Sequence, residues 1–361
     1  MVEHLTASRT AERKDSHLDL CATGEVVPAG SRTLLGDVRL VHCALPELAL
    51  EEVQLSTHLF GKPLRAPLMV TGMTGGTDRA GGVNRDLAQL AEEAGIAFGL
   101  GSQRAMLDDA GRAASYRLRD VAPTAVIVGN IGLTQAVRSG VDACRRLAED
   151  IQADALAVHL NAGQELTQPE GDRDFRGGYA VLERLARALD GRLLVKETGC
   201  GLSPTVARRL VGLGVTALDV SGSGGTSWVR VEQLRASGVA AEVGETFSGW
   251  GIPTAAAIAS VRQAVGPGVT LVASGGLRDG LEAAKVLALG ADLAGMALPL
   301  FRAQQAGGHA GAARALEAVL AGLRHALLLT GSRDVVALRA QPRVVTGELK
   351  DWLAALAASG A

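Results

Sequence analysis

The stretch Leu193-Leu194-Val195-Lys196-Glu197-Thr198 is a short, mainly apolar run that predicts a strand, and a helical pattern follows it closely. Apolar runs of this length are typical of parallel strands that are buried on both faces. Ser203 is a good N-cap for the helix, Pro204 suits its first position, and Gly214 follows its last turn. Between these ends, one face of the predicted helix is apolar, formed by Val206, Leu210 and Leu213. The segment is therefore one strand–helix unit.

Seven further stretches of the chain repeat this unit. The predicted strands are 66–73, 96–101, 125–130, 155–160, 193–198, 217–220, 269–274 and 293–297. After the seventh strand, Asp279 and Glu282 have the spacing of a capping box. Strand–helix alternation implies a parallel sheet, and eight units favour closure into a barrel. The fold class is therefore α/β, and the predicted architecture is a (β/α)8 TIM barrel.

The chain is longer than a minimal barrel, and the excess falls into recognisable segments. We expect one domain over 1–361, with an N-terminal extension at 1–60, the barrel at 61–330 and a C-terminal tail at 331–361. Two connections are long: a polar loop at 162–178 after strand four, and residues 222–251 after strand six, with a helix around 229–240. Long connections in compact domains are usually functional, and these belong to the face where strands end.

Composition excludes several classes of protein. The chain has 361 residues, is 47% hydrophobic and has a formal net charge of −2, which argues against nucleic acid as a partner. The four cysteines are scattered and form no C-x-x-C pair, as expected in a reducing compartment. The first residues lack the apolar core of a signal peptide, and no apolar run approaches the roughly 18 residues of a membrane span. These features predict a cytoplasmic protein without a membrane partner.

Glycine-rich segments follow three of the predicted strands, at 71–77, 221–226 and 275–276. Any one of them alone is readily explained as an ordinary turn. Together, and with Gly295-Met296-Ala297 ending strand eight, they supply free backbone NH groups near helix N-termini, which is how barrels of this kind bind phosphate. No G-x-G-x-x-G unit for a dinucleotide is evident, so FMN fits best.

Polar side chains end the remaining strands. Lys196 is expected to point into the barrel mouth, where it would either pair with a carboxylate or stabilise an anionic cofactor. Because neighbours on a strand face opposite sides, it should not pair simply with Glu197, and the second interpretation is favoured. Arg104 could bind phosphate or be an ordinary surface residue, and Asn130 could bond a flavin ring or belong to a turn. The segment Val158-His159-Leu160-Asn161-Ala162-Gly163-Gln164-Glu165 is the most telling, since Glu165 suits Mg²⁺ and His159 an anion.

Taken in order along the chain, these motifs resemble the FMN-dependent, type 2 isopentenyl-diphosphate isomerase family. The resemblance covers nearly the whole chain and rests on co-occurrence, because each motif alone is weak. It is carried by Arg13-Lys14-x-x-His17, Met73-Thr74-Gly75-Gly76-Thr77, Gly101-Ser102-Gln103-Arg104, His159-Leu160-Asn161-x-x-Gln164-Glu165, Gln168-Pro169-Glu170-Gly171-Asp172, Val195-Lys196-Glu197, Asp219-Val220-Ser221-Gly222-x-Gly224-Gly225-Thr226, Trp250-Gly251-Ile252-Pro253-Thr254 and Gly295-Met296-Ala297-Leu298-Pro299.

The resemblance implies roles for individual residues. Gln164 and Lys196 would be catalytic, and Glu165 would bind Mg²⁺. The implied FMN contacts are Met73, Thr74, Gly75, Ser102, Asn130, Lys196, Ser221, Thr226, Gly275, Gly276, Ala297 and Leu298. The implied contacts to an isoprenoid diphosphate substrate are Arg13, Lys14, His17, Ser102, Gln103, Arg104, His159, Asn161 and Gln164. It also implies reduced FMN as the active form, NADPH as reductant, and a homo-oligomer, tetramer or octamer.

Two departures from the family pattern and two rival functions accompany this interpretation. Ala162-Gly163 replaces a Pro and a bulky apolar residue, which we expect to loosen the placing of Gln164, and Gly249 replaces an Asp.

One rival function is a flavin oxidoreductase of the 2-hydroxy-acid oxidase type, but the His and Arg that such an enzyme needs are missing from 221–226. The other is a non-catalytic relative that binds flavin or isoprenoid, against which the presence of Lys196 speaks.

Overall fold

The predicted strand–helix alternation produces a closed parallel barrel. The computed structural model describes residues 2–358, with side chains for 12–109 and 111–358. Its strands are β1 (Val38–Leu40), β2 (Thr57–Leu59), β3 (Lys62–Leu64), β4 (Leu68–Val70), β5 (Ala97–Gly99), β6 (Ile127–Gly132), β7 (Ala155–Leu160), β8 (Leu193–Glu197), β9 (Ala217–Asp219), β10 (Thr270–Ala273), β11 (Leu293–Met296) and β12 (Arg343–Val345). The barrel runs from β4 to β11, and β11 pairs with β4 to close it. The (β/α)8 prediction is confirmed.

Helices surround the barrel and extend the chain at both ends. They are α1 (Val2–Thr23), α2 (Asp78–Ala94), α3 (Arg104–Asp108), α4 (Leu133–Glu149), α5 (Ala162–Thr167), α6 (Gly178–Ala188), α7 (Pro204–Gly212), α8 (Trp228–Gln233), α9 (Val239–Phe247), α10 (Thr254–Val265), α11 (Gly280–Ala288), α12 (Leu298–Leu329), α13 (Val335–Ala340) and α14 (Gly347–Ala358). The predicted caps are present: Ser203 accepts from the Val206 NH, and Asp279 accepts from the Glu282 NH. In the described part of the chain, no helix is both long and apolar enough to cross a membrane.

Two of the long connections differ from the sequence prediction. The segment after β7 is not a loop throughout, because α5 begins directly at the end of the strand. The connection after β9 holds two short helices, α8 and α9, in place of one around 229–240. Gly238, with a φ of +58°, is the N-cap residue at which α9 begins.

The barrel interior changes from apolar to polar along each strand. In β7, Ala155 and Ala157 face the interior apolar cluster, so the alternation of a strand puts His159 on the same side. The same parity in β8 directs Leu194 and then Lys196 inward. The lower barrel is therefore packed with small apolar side chains, and polar side chains collect at the carboxyl ends of the strands.

A hairpin formed by β2 and β3 closes the lower end of the barrel. Leu59 and Leu64 of this hairpin pack with the interior apolar cluster, and Phe60 lies against it. At the other end, α1 crosses the mouth and packs against α2, α3, α8 and α12. The C-terminal tail returns to the extension through β1 and β12, which pair antiparallel. The mouth at the carboxyl ends of the strands, covered by α1, holds the polar side chains.

Candidate functional site

Two adjoining cavities open at the carboxyl ends of the barrel strands. The first, of about 820 Å³, lies beneath α1, and the second, of about 1200 Å³, lies over the ends of β9, β10 and β11, both volumes including the open mouth. Five residues line both cavities: Gly72, Met73, Lys196, Thr198 and Trp228. A ligand in one cavity would therefore touch a ligand in the other at these residues.

Strand register aligns the polar residues of the mouth. Gly132, His159, Lys196 and Asp219 pair successively across β6, β7, β8 and β9, which makes one row at the same height in the barrel. Lys196 Nζ donates to the carbonyl of Glu197 across 2.7 Å, while the Glu197 carboxylate accepts from the backbone NH groups of 198–201. As predicted from strand alternation, the two side chains do not pair.

His159 is held in one tautomer by Asn130. The Asn130 Nδ2 donates to the carbonyl of Leu100 across 2.8 Å, so its Oδ1 faces His159 Nδ1, 2.7 Å away, and must accept a hydrogen bond from the Nδ1 proton. Burial, with a smaller contribution from Lys196, lowers the pKa of His159 to about 3. The imidazole is therefore neutral near pH 7, with its proton on Nδ1.

The floor of the second cavity is made of glycines packed backbone against backbone. A Cβ on Gly225 would overlap the backbone nitrogen of Gly276, and a Cβ on Gly276 would lie 2.7 Å from the carbonyl oxygen of Gly224. Gly275 and Gly276 have φ values of +107° and +82°, which glycine adopts without strain. Such a floor presents backbone NH groups instead of side chains, and this fits the phosphate of FMN.

The first cavity is basic and partly buried. Arg13, Lys14 and Arg104 line it, the first two from α1 and the third from the start of α3. Lys14 Nζ donates to the carbonyl of Ser102 and to the hydroxyl of Tyr116, at 3.2 and 3.1 Å. Burial, together with the charges of Arg13 and Arg104, lowers the pKa of Lys14 to about 7. A cavity with this surplus of positive charge would bind a polyanion.

A buried carboxylate joins α1 to the segment that follows β7. Glu232 of α8 has a side chain that is 0% exposed, and its Oε1 accepts a hydrogen bond from Gln164 Nε2 across 3.0 Å. His17 Nε2 lies 3.0 Å from the same oxygen, and Arg235 Nη1 donates to Oε2 across 2.5 Å. Burial alone would raise the pKa of Glu232, but His17, Gln164 and Arg235 outweigh it and hold the pKa at about 2.

Glu165 is a single buried carboxylate at the edge of the first cavity. Its Oε1 accepts from Asn161 Nδ2 across 3.0 Å, and its Oε2 accepts from the backbone NH of Asp172 across 2.8 Å. Among the described residues, no group of three or more His, Cys, Asp or Glu side chains could hold a metal ion. A cation at Glu165 would need water and a substrate phosphate as its other ligands, which is how Mg²⁺ is commonly bound.

The structure brings nearly all of the predicted site residues together. The first cavity is lined by Arg13, Lys14, His17, Met73, Thr74, Gly75, Ser102, Arg104, Asn130, His159, Asn161, Gln164, Glu165 and Lys196. The second is lined by Ser221, Thr226, Gly275, Gly276, Ala297 and Leu298, with Met73 and Lys196 in common.

Gln103 is the exception, and its predicted contact with the diphosphate is not supported. Its side chain is fully buried, donates to the carbonyl of Leu147 and accepts from the Asn130 NH, each at 2.8 Å. The hydrogen bonds of this amide thus connect the ends of β5 and β6 to α4, and the amide does not face the cavity. Its neighbour Ser102 faces the cavity instead.

The residues that were not predicted from the sequence include Trp228, which lines both cavities, and two buried carboxylates beside them, Glu232 and Asp219. Glu232 and Trp228 belong to α8, whose packing beneath α1 has no local signal in the sequence. Asp219 lies at the end of β9, where its Oδ1 accepts from Ser274 Oγ across 2.7 Å and its Oδ2 has no hydrogen-bond partner among the described side chains. Its place in an apolar run that ends in a glycine-rich segment is a signal that could have identified it.

Comparison with solved structures supports the fold. A mandelate oxidase variant with (S)-mandelic acid superposes with a TM-score of 0.63, covering 95% of this chain and 98% of the other, at 21% sequence identity. A second mandelate oxidase structure, with (S)-2-phenylpropionate, has a TM-score of 0.61 at 19% identity over 93% and 98% of the two chains. At such identities the likeness concerns the barrel alone.

Sequence comparison is more specific. The model of the FMN-dependent dehydrogenase family matches residues 147–345. An isopentenyl-diphosphate delta-isomerase of Stutzerimonas stutzeri is 46% identical over 330 residues, which is 91% of this chain and 95% of the relative. Enzymes with the same name from Metallosphaera sedula and Pyrococcus furiosus are 44% and 41% identical, over 94% and 96% of this chain and 94% and 89% of theirs. With these relatives and an FMN-fitting barrel mouth, the chain belongs to the isopentenyl-diphosphate delta-isomerase family.

Proposed function

We propose that this protein interconverts isopentenyl diphosphate and dimethylallyl diphosphate, with reduced FMN in the second cavity and Mg²⁺ at Glu165. The observation that carries the proposal is that a basic cavity opens directly into a glycine-floored cavity, with Lys196 lining both. A substrate whose diphosphate lies among the arginines would extend its short apolar chain toward the residues that the two cavities share.

The basic residues of the first cavity would hold the substrate. Arg13 and Arg104 supply permanent charges, and a bound diphosphate would keep Lys14 protonated because an adjacent anion raises the pKa of an ammonium group. His159 is neutral with its proton on Nδ1, so its Nε2 would be left to accept a hydrogen bond. Ser102, Asn161 and His17 complete the substrate set that we propose.

Moving the double bond requires a proton to be added at one carbon and removed from another, with positive charge developing between them. When bound, reduced FMN supplies an acid–base group and an electron-rich face for that chemistry. Gln164, held by Glu232, would present its amide beside the reacting carbons. Lys196 would face the flavin and favour its anionic reduced form, and the remaining flavin contacts would be those that line the glycine floor.

Neither rival function has a comparable observation in its favour. A 2-hydroxy-acid oxidase needs a His base and an Arg at the end of strand six, and residues 221–226 contain neither. A non-catalytic relative would have no need of a buried network that fixes Gln164. Lactate and glycolate oxidation assays test the first rival, and the isomerase assay below tests the second.

Flavin reduction should switch the activity on without consuming reductant, because isomerisation involves no net redox change. Purified protein reconstituted with FMN should be inactive when oxidised and fully active after dithionite or NADPH. Product formed per NADPH oxidised should greatly exceed one. Oxidation of one NADPH for each product would refute the proposal, as would turnover of a 2-hydroxy acid without isomerisation.

We also propose NADPH as the reductant, a cytoplasmic location and a homo-oligomer, tetramer or octamer. Four free cysteines, two of them buried, support a reducing compartment. The single-domain organisation over 1–361 is likewise part of this proposal, with residue 1 and residues 359–361 outside the described part of the chain.

A further inference from the structure

We propose that Gly163 is a positioning residue: the absence of a side chain there lets α5 pack against α8 closely enough for the Gln164 amide to reach Glu232. The expected effect on catalysis rests on the proposed function, whereas the packing of α5 against α8 does not. It concerns the position where this chain departs from its family's pattern.

The space beside Gly163 is already filled. A Cβ on residue 163 would lie 3.0 Å from Val229 Cγ2 and 3.4 Å from Cys200 Sγ. Val229 is buried on α8, and Cys200 follows β8. A side chain at 163 therefore requires Val229 to give way, and we infer that a bulky side chain moves α5 away from α8. The expectation that glycine loosens this segment is reversed, since here it permits close contact.

The contact at residue 163 and the hydrogen bond at residue 164 are coupled by geometry. Val229 and Glu232 are three residues apart on α8, so they lie on the same face one turn from each other. On α5, their counterparts Gly163 and Gln164 are adjacent. A displacement that relieves a collision at Val229 would lengthen the 3.0 Å bond between Gln164 Nε2 and Glu232 Oε1.

Glu232 cannot readily follow such a displacement. Arg235 donates to its carboxylate in addition to Gln164, His17 Nε2 lies 3.0 Å from it, and the side chain is fully buried. The other end of the Gln164 amide is weakly held, because its Oε1 accepts from Asn161 Nδ2 across 3.3 Å. The placing of the amide therefore depends mainly on the approach of α5 to α8. α9 also packs closely against α5, because a Cβ on Gly244 of α9 would lie 2.8 Å from Thr167 Cγ2 of α5.

The test compares the variant Gly163→Leu with a compensating double variant and a control variant. We expect the kcat of Gly163→Leu to fall about tenfold or more, because a displacement near 1 Å at a reacting group can cost on the order of 100-fold. The KM should rise less than the kcat falls, because Arg13, Lys14 and Arg104 lie outside α5. Gly163→Leu combined with Val229→Ala, which makes room, should recover most of the kcat. Ala162→Leu places the same side chain at the adjacent, exposed position and should leave kcat unchanged.

Crystal structures of the variants supply a readout that does not depend on activity. In Gly163→Leu the distance from Gln164 Nε2 to Glu232 Oε1 should exceed a hydrogen bond, and in the double variant it should be restored. An unchanged or higher kcat in Gly163→Leu, or an equal loss in Ala162→Leu, would overturn the inference. Absence of isomerase activity in the wild-type protein would instead refute the proposed function and leave the distance measurement as the test of the packing.

Discussion

Gln164 Nε2 donates a hydrogen bond to Glu232 Oε1 across 3.0 Å, and this bond links the end of strand β7 to a helix inserted after strand β9. The same carboxylate lies 3.0 Å from His17 Nε2 of the N-terminal helix. One fully buried group thus connects the proposed catalytic amide with the segment that covers the substrate cavity. The site is complete only when α1, α5 and α8 are all in place.

Glu232→Gln should lower both kcat and stability. The change leaves Arg235 facing a neutral amide, and breaking a buried ion pair by removing one charge costs on the order of 3 kcal/mol. Since the folded-state pKa of about 2 lies below the ordinary value of 4.5, the charge stabilises the fold above pH 4.5, and this contribution is lost as the pH falls toward 2. The stability difference between wild type and variant, measured by denaturant unfolding, should therefore shrink in acid. A constant difference would contradict this assignment.

Gln164→Ala and Glu165→Gln should differ in the kinetic constant that they affect. Gln164→Ala removes a polar group near the reacting carbons, so its loss should fall mainly on kcat. Glu165→Gln removes the charge on the proposed metal ligand, so its defect should appear in substrate affinity and be partly relieved by higher Mg²⁺. Steady-state kinetics across a magnesium series checks both variants. The assignments fail if Mg²⁺ affects neither variant, or if Gln164→Ala changes the KM alone.

Affinity of the free enzyme for the diphosphate should weaken as the pH rises through about 7. Lys14 has a pKa near that value in the free protein, so its positive charge is present below pH 7 and is lost above it. His159 stays neutral throughout this range because its pKa is about 3. Titration calorimetry with inorganic pyrophosphate from pH 6 to 8.5 measures the effect. Lys14→Arg should flatten the profile, and an unchanged slope in that variant would assign the effect to another group.

Deletion of residues 1–17 should raise the KM steeply and leave the FMN content normal. The deletion removes Arg13, Lys14 and His17 from the first cavity, whereas the glycine floor of the second cavity lies outside the deleted segment. The kinetics and the flavin absorbance of the truncated protein separate the two effects. Unchanged kinetics would show that α1 has no part in substrate binding.

Gly225→Ala should abolish FMN binding while the barrel still folds. A Cβ at this position would overlap the backbone of Gly276, which lies at a loop and not in the core. Gly82→Ala is the matched control, because a Cβ there meets nothing within 4 Å and the residue lies on α2. Flavin absorbance and circular dichroism after purification measure the two outcomes. A yellow Gly225→Ala protein would show that the glycine floor does not hold the flavin.

The apolar runs and helix caps of this chain determined its barrel, since the period of a strand and the signals of a helix end are local properties. Strand alternation likewise sufficed to direct Lys196 inward and Glu197 away from it, and the strand ends predicted most residues that line the mouth. The predicted substrate contact of Gln103 is not supported by the contacts of its side chain, because the amide is hydrogen-bonded to Leu147 and Asn130, and the sequence alone does not show this.

The tertiary structure alone determines which segments that are distant in the chain come into contact. Glu232 and Trp228 join the site because α8 packs between α1 and α5, and no periodicity within α8 encodes that contact. Gly163 is a second example: the sequence shows the missing side chain, whereas the fold shows that Val229 and Cys200 lie within 3.4 Å of where a Cβ would be. Local signals determine the elements, but close packing between them determines which side chains can touch.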